Sequence, residues 1–361
     1  MFAISSIILL LQSGHTVQAL CIANSPIQKE LENNGIKHID LHSANFNFND
    51  AFKFGKLVLN ENYDLIHTHF SKDLWLIVPV LKFLRNNVPV VLTKHLGSAI
   101  KKNDILHRML YNRLNYAIAI SQVIKNNLLE TTPLTRDKVV LIHNFVNIER
   151  YTHNSEANIR LRKELNIDAD TCVLGMVARI TPGKGHNDVI EAVKLIASKN
   201  LNFKVVVAGE ASKDEKNFEL GLKDKIKLYG IEKYFQFTGF RKDIPDLLSM
   251  FDAFLFPSQY EAFGLSLIEA MAEGLPNIVC YSEGVKDIAV VDVTSLAYNL
   301  GEIQKLAEHI VTLLTNPDLR KKLGENSFAE VARFSDSVFQ QKTDELYKKA
   351  IIMAKTNIRE N

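Results

Sequence analysis

Short apolar runs alternate with stretches of helical periodicity along nearly the whole chain, the pattern of parallel β-sheets covered by helices. In the first half, strands are predicted at Thr16–Ile22, Leu65–His69, Val88–Thr93, Tyr116–Ile120 and Val139–His143. In the second half they are predicted at Cys172–Ala178, Phe203–Ala208, Tyr234–Thr238, Ala253–Pro257 and Asn277–Tyr281. Residues 147–166 are polar, carry a helical piece at Ala157–Leu165 and form the natural boundary. The predicted fold class is α/β, with two doubly wound domains at 1–150 and 151–335. Ligands of such sheets bind at the carboxyl ends of the strands, so a cleft there is expected to hold the chemistry. The last 60 or so residues read as helices at Ile303–Leu314, Asp318–Ala332 and from Ser335 onward. The segment 336–361 is expected to pack back towards the first domain, with Lys355 to Asn361 frayed.

The 361 residues suffice for two ordinary cores without disulfide or metal staples. A hydrophobic fraction of 47% with 16 Gly and 9 Pro excludes collagen-like and disordered chains. A net charge of +2 excludes the global polycation of a dedicated nucleic-acid binder. Cys21, Cys172 and Cys280 are too dispersed for a zinc site and odd in number, which points to a reducing, cytoplasmic setting. The uncharged stretch Met1 to Leu11 lacks both a basic leader and the length to span a bilayer, and it reads as a helix closed by Gly14. The charge is uneven: 1–150 hold 16 Lys+Arg against 11 Asp+Glu, and the remainder 27 against 30. A slightly basic first half facing an anionic surface or substrate is one reading of that asymmetry.

The richest chemistry lies between Ala253 and Pro276. A buried strand ends at Pro257-Ser258, a loop carries Glu261, and a helix opens at Phe263-Gly264-Leu265. Free N–H groups at a helix start bind phosphate, and glycine allows close approach to the backbone. Glu269 lies about two turns into that helix, at the edge of its buried stripe, where a carboxylate needs hydrogen-bonding partners such as sugar hydroxyls. The plainer alternative has Glu261 capping the helix and Glu269 paired with a nearby base. Arg179 and Lys184, in the glycine-containing loop Arg179–His186, suit a diphosphate, the first as a planar bidentate donor and the second as a point charge. Gly209-Glu210-Ala211 and Thr238-Gly239-Phe240-Arg241 close two further strands and should share the same sheet edge.

The run Phe237 to Pro276 resembles the nucleotide-sugar-binding domain of the retaining family 4 glycosyltransferases, which have the two-domain GT-B fold of facing Rossmann-like domains. The matching pieces are Gly239-Phe240-Arg241, Pro257-Ser258, Glu261 to Gly264, and Glu269 to Pro276. Asp64 to His69, His95, Ala119 to Ser121 and Ile142 to Asn147 fall where similar motifs occur in the acceptor-side domain. The resemblance implies transfer of a sugar from a nucleotide-diphosphate donor to a glycan or lipid-linked acceptor, in polysaccharide or lipopolysaccharide synthesis. It implies that Arg179 and Lys184 neutralise the diphosphate, helped by the helix start at Phe263, Gly264 and Leu265. Glu269 would hold the ribose, Glu261 the transferred sugar, and His95 would face that sugar from the other domain. Gly209, Glu210, Phe240 and Arg241 would complete the donor site. No metal or other cofactor is expected, since the cations do that work, and no nucleic acid is expected as partner.

The chain also departs from that pattern. Met1 already lies in what reads as the first helix, so the opening strand and Gly-rich loop of the family are expected to be missing and the first domain incomplete. Gly209-Glu210-Ala211 stands for the usual Gly-x-Gly, Glu283-Gly284 for paired glycines, and Asp287 for a common Glu. A catalytically impaired nucleotide-binding relative or partner subunit is therefore the alternative function. A nicotinamide dehydrogenase is disfavoured, because no G-x-G-x-x-G follows a strand. His67 and His69, two apart on a strand, read as a strand-end pair rather than metal ligands. Lys101, Lys102, His107, Arg108 and Arg113 read as a solvated basic face, with peripheral attachment to the inner membrane surface as the alternative. Trp75, Phe46, Phe48, Phe52 and Phe54 are expected to pack in a core or between domains, or else to line an acceptor site.

Overall fold

The computed structural model describes residues 2–42 and 47–359, the side chains to residue 356. All its strands pair in parallel, in three sheets. The chain divides into two compact units, one of residues 1–144 with 336–361 and one of residues 145–335.

In the first unit, β1 (Ala19–Ile22) pairs with β2 (His38–Leu41), and β3 (Ile66–Thr68), β4 (Val90–Lys94), β5 (Tyr116–Ala119) and β6 (Val139–Leu141) form a four-stranded sheet in that order. The pattern missed β2, whose four residues are all only half-buried. The opening helix Phe2–Gln12 turns Ile4 and Leu9 inward, and Ile4 joins Ala19, Cys21, Leu31 and Ile36 in a small core. The expected strand from Thr16 starts only at Ala19. The closing helix Asp336–Arg359 belongs to this unit, with Tyr347 bonded to His67 and Asp344 to His15. It stays helical through Lys355, where fraying was expected.

The expectation of core packing for the aromatic cluster holds for Phe54 and not for Phe48 and Phe52. In the helix Phe48–Asn60, Phe54 and Val58 are one turn apart on the buried face, which leaves Phe48 and Phe52 exposed on another. Phe46 lies outside the described residues. The basic face is also smaller than expected. Arg113 turns inward and donates to the carbonyls of Asn86 and Val88 at 3.1 and 2.7 Å.

The second unit holds one six-stranded sheet of β7 (Cys172–Val177), β8 (Phe203–Ala208), β9 (Phe235–Gly239), β10 (Ala253–Phe256), β11 (Asn277–Cys280) and β12 (Ser295–Tyr298). Its order is β12-β11-β10-β7-β8-β9. From β7 the chain winds outward through β8 to β9, then returns to the other side of β7 for β10. The direction of winding therefore reverses between β7 and β10, and that is where an open α/β sheet leaves a crevice at its carboxyl edge. The polar segment 147–166 is no tether. Val146 N donates to Phe334 O at 2.9 Å, and the helix Ser155–Glu164, capped by Asn154, is part of the second unit. The division accordingly falls at residue 144 rather than 150.

Candidate active site

The loops at the reversal point are residues 178–185 after β7 and 257–264 after β10. They are tied directly: Gln259 N donates to Gly183 O at 2.9 Å. Gly185 has φ of +76°, and a Cβ there would stand 2.1 Å from Pro257 O, so no other residue permits this approach. Lys184 Nζ reaches across to Glu261 Oε1 and forms an ion pair, both side chains mostly enclosed. Glu261 therefore does not cap the following helix Leu265–Ala272, whose N-cap is Gly264 without a side-chain bond. The first N–H groups of that helix have no intrahelical acceptor and remain available to an anion.

Arg179, in the same loop as Lys184, is exposed. The loop that carries it is anchored by Thr181, whose hydroxyl donates to Glu215, and by Ile180 N donating to Glu210 O at 3.1 Å. Hydrogen bonds from Thr181 and Ser212, with the Arg179 charge, hold the Glu215 carboxyl below its usual range. Gly209 crosses behind the loop, its N–H donating to Gly239 O at 2.9 Å. Glu210 and Phe240 are exposed near that edge.

Glu269 is shielded enough that burial raises its pKa, opposed by a hydrogen bond from Tyr151 and by the Arg150 charge. Its partner is thus a tyrosine of the segment that opens the second unit, not the nearby base expected as the plainer alternative. Arg241 differs from the other cations. Asp243 and Glu164 hold it by hydrogen bonds at 2.8, 2.6 and 2.5 Å, so its charge is already matched within the protein.

Several contributors are not among the expected site residues, Gly284 standing in the sequence only as a departure from the family pattern. Gly284 supports Glu261 from beneath: a Cβ at Gly284 would stand 2.2 Å from Glu261 O. Asp188 holds Gln259 at 3.2 Å. His186 begins the helix after Gly185, is buried, and has no hydrogen-bond partner on either ring nitrogen. Burial and the neighbouring Lys184 charge lower its pKa to about 4, so it is neutral at ordinary pH.

His95, at the end of β4 in the first unit, belongs to a ring stack. Its Nε2 lies 3.1 Å from His69 Nδ1, and His69 stacks on His67 with centroids 4.5 Å apart. His67 in turn meets Thr93 at 2.7 Å and Tyr347 at 2.5 Å. Burial lowers the pKa of His67 to about 3 and of His95 to about 4, so these rings offer uncharged hydrogen-bonding atoms. Among the described residues, no group of three or more His, Cys, Asp or Glu has the arrangement of a metal site. None of the described helices is long and apolar enough to cross a membrane.

Comparison with known proteins agrees with this architecture. Residues 158–330 match the glycosyl transferases group 1 family and residues 9–150 match glycosyltransferase family 4. An uncharacterised glycosyltransferase of Methanocaldococcus jannaschii is 28% identical over 79% of this chain and 76% of its own. The capsular polysaccharide biosynthesis glycosyltransferase CapM of Staphylococcus aureus is 28% identical over 64% of this chain and 60% of its own. Among solved structures, a glycosyltransferase from Rickettsia africae superposes with a TM-score of 0.86 at 23% identity, covering 95% of this chain and 92% of that one. Anabaena HepE in complex with UDP superposes with a TM-score of 0.83 at 22% identity, covering 96% of each chain. The two family matches together span most of both units, and the chain belongs to the family 4 glycosyltransferases of the GT-B fold.

Proposed function

We propose that this glycosyltransferase moves a sugar from a nucleoside diphosphate to a glycan or lipid-linked acceptor with retention at the anomeric carbon, in cell-surface polysaccharide or lipopolysaccharide synthesis. The observation that carries the reading is the Lys184–Glu261 pair at the reversal point of the second sheet, with Arg179 in the same loop as Lys184 and the start of helix Leu265–Ala272 next in the chain after Glu261. Cations and helix N–H groups suit a diphosphate, and a neighbouring carboxylate suits sugar hydroxyls. HepE supports the nucleotide through its UDP complex, and CapM supports the acceptor class through its capsular role.

In the proposed reaction the bond from the anomeric carbon to the diphosphate oxygen breaks. An acceptor hydroxyl adds on the same face, and its proton passes to the departing phosphate oxygen. Negative charge builds on the diphosphate, where Arg179, Lys184 and the N–H groups around Gly264 and Leu265 stabilise it. As Lys184 turns to the phosphates it releases Glu261 to bind the transferred sugar, while Glu269 holds the ribose. His95, in the first unit, offers a neutral hydrogen-bonding imidazole. No metal or other cofactor is assigned. The test is a turnover screen of UDP-, GDP- and ADP-sugars, with the anomeric configuration of the product read by NMR. A product of inverted configuration would refute retention, and undiminished turnover by both Lys184→Ala and Glu269→Ala would refute the site.

A further inference from the structure

We propose that Asp188 and Gln259 form a positioning pair that holds Lys184 and Glu261 at the spacing the transfer needs, a role that rests on the donor-site reading of that ion pair. Lys184 and Glu261 stand on loops that leave different strands, and a shift of about 1 Å between such groups can cost roughly 100-fold in rate. Gln259 grips the other loop at two points. Its N–H donates to Gly183 O at 2.9 Å, just before Lys184 in the chain, and its Nε2 donates to Asp188 Oδ2 at 3.2 Å, just beyond it. Gln259 therefore brackets Lys184 while standing two residues before Glu261. A single hydrogen bond lets two loops pivot about it, and a second on the far side of Lys184 removes that freedom.

Asp188 is the third residue of the helix His186–Ile196, whose N-cap Gly185 supplies no side-chain bond. The helix dipole alone favours an acid there, but that role asks only for a carboxylate facing water. The Asp188 carboxylate is half-buried instead, and burial raises its pKa, opposed by the hydrogen bond from Gln259 and by the Lys225 charge. Lys225 itself is engaged by Glu191 at 2.8 Å and by Asn187 Oδ1 at 3.2 Å, so the Gln259 amide is the donor that holds this carboxylate. A shielded carboxylate is costly without such a donor, which fixes the amide and its loop in place. The neutrality of Gln259 also matters. A cation in its place would compete with Lys184 for Glu261, whereas an amide ties the loops and leaves the charge balance of the pair unchanged. In the proposed reaction Lys184 leaves Glu261 for the phosphates, so their ion pair cannot hold the loops at that stage. Neither Asp188 nor Gln259 is a donor ligand in that scheme, and their bond keeps the loops together throughout.

The test reads Lys184 directly, by acetylation of the full chain and mass spectrometry, with the 78% exposed Lys321 as internal standard. Ion pairing and enclosure protect Lys184 Nζ, so Asp188→Ala and Gln259→Ala should each raise its acetylation by roughly threefold or more. Gln259→Glu sets two carboxylates against each other and should raise it further. Adding Asp188→Asn to that variant restores a carboxylate–amide pair with the roles exchanged, and acetylation should return towards the parental level. Turnover of UDP-, GDP- and ADP-sugars should follow the same order. Both alanine variants should lower kcat by roughly tenfold or more while the donor KM changes far less, and the double alanine variant should be no worse than either. A contact that served stability alone would lower the melting temperature and leave Lys184 acetylation and kcat unchanged. Unchanged acetylation of Lys184 in both alanine variants, or parental kcat beside raised acetylation, would overturn the proposal. So would an exchanged pair that melts like the parent yet restores neither. Acetylation needs no donor, so undiminished turnover by Lys184→Ala would refute the donor-site reading separately, with the loop tie still decided by the labelling.

Discussion

The strand ends of the two units handle polarity in opposite ways. In the second unit, Lys184 and Glu261 keep their charges by pairing across the reversal point, with Arg179 exposed in the same loop as Lys184. In the first, His67, His69 and His95 stack face to face and burial drives them to the neutral form. A pre-paired cation can transfer to an incoming phosphate, whereas a stack of neutral rings can only hydrogen-bond. On the proposed mechanism, charge stabilisation falls to the second unit and uncharged hydrogen bonding to the first.

The contrast breaks most severely if Lys184 is removed. Lys184→Ala should lower kcat by roughly 100- to 1,000-fold, the usual cost of losing one group aimed at developing charge. His95→Ala, which removes no charge, should cost less in the same assay.

The histidine stack makes the first unit sensitive to acid. The folded-state pKa values of about 3 for His67 and about 4 for His95 lie below the ordinary 6.5, so the unfolded chain binds more protons as pH falls below that value. Their stabilising contribution is fully present above pH 6.5 and is lost as pH falls towards 4, at about 1.4 kcal/mol per pH unit for each histidine that titrates. Urea unfolding followed by the fluorescence of Trp75, the chain's single tryptophan, reads this unit directly. His67→Phe should flatten the slope.

Smaller effects sharpen the picture of the second unit. Gly284→Ala drives a methyl group into Glu261 O and should cost about 1–3 kcal/mol, seen as a lower melting temperature and a reduced kcat. Tyr151→Phe removes a hydrogen bond to Glu269 and should raise the donor KM by no more than roughly tenfold, with kcat nearly unchanged.

The hydrophobic pattern found the strands buried on both faces, such as β7, β8, β10 and β11, and also the partly buried edge strands β1, β3, β6 and β9. Those it missed, β2 and β12, are four-residue edge strands without a long apolar run. The site was legible as residue types: Arg179, Lys184, Glu261, Gly264 and Glu269 all stand out in their loops. Their pairing was not legible, because Lys184 and Glu261 are 77 residues apart and meet only through the reversed strand order. Tyr151 escaped for the same reason, as it acts on a residue distant in sequence, and Gly284, noted as a departure from the family pattern, gave no sign of its approach to Glu261. Arg241 reads as a donor-site residue in the sequence, yet Asp243, two residues on, already engages it.

Isothermal titration of the full chain with UDP, GDP and ADP, for the parent and for Lys184→Ala and Arg179→Ala, tests the central assignment most directly. The account predicts that at least one nucleoside diphosphate binds the parent and that each variant weakens it by roughly tenfold or more. Absence of binding by all three nucleotides, or equal affinity in both variants, would contradict it.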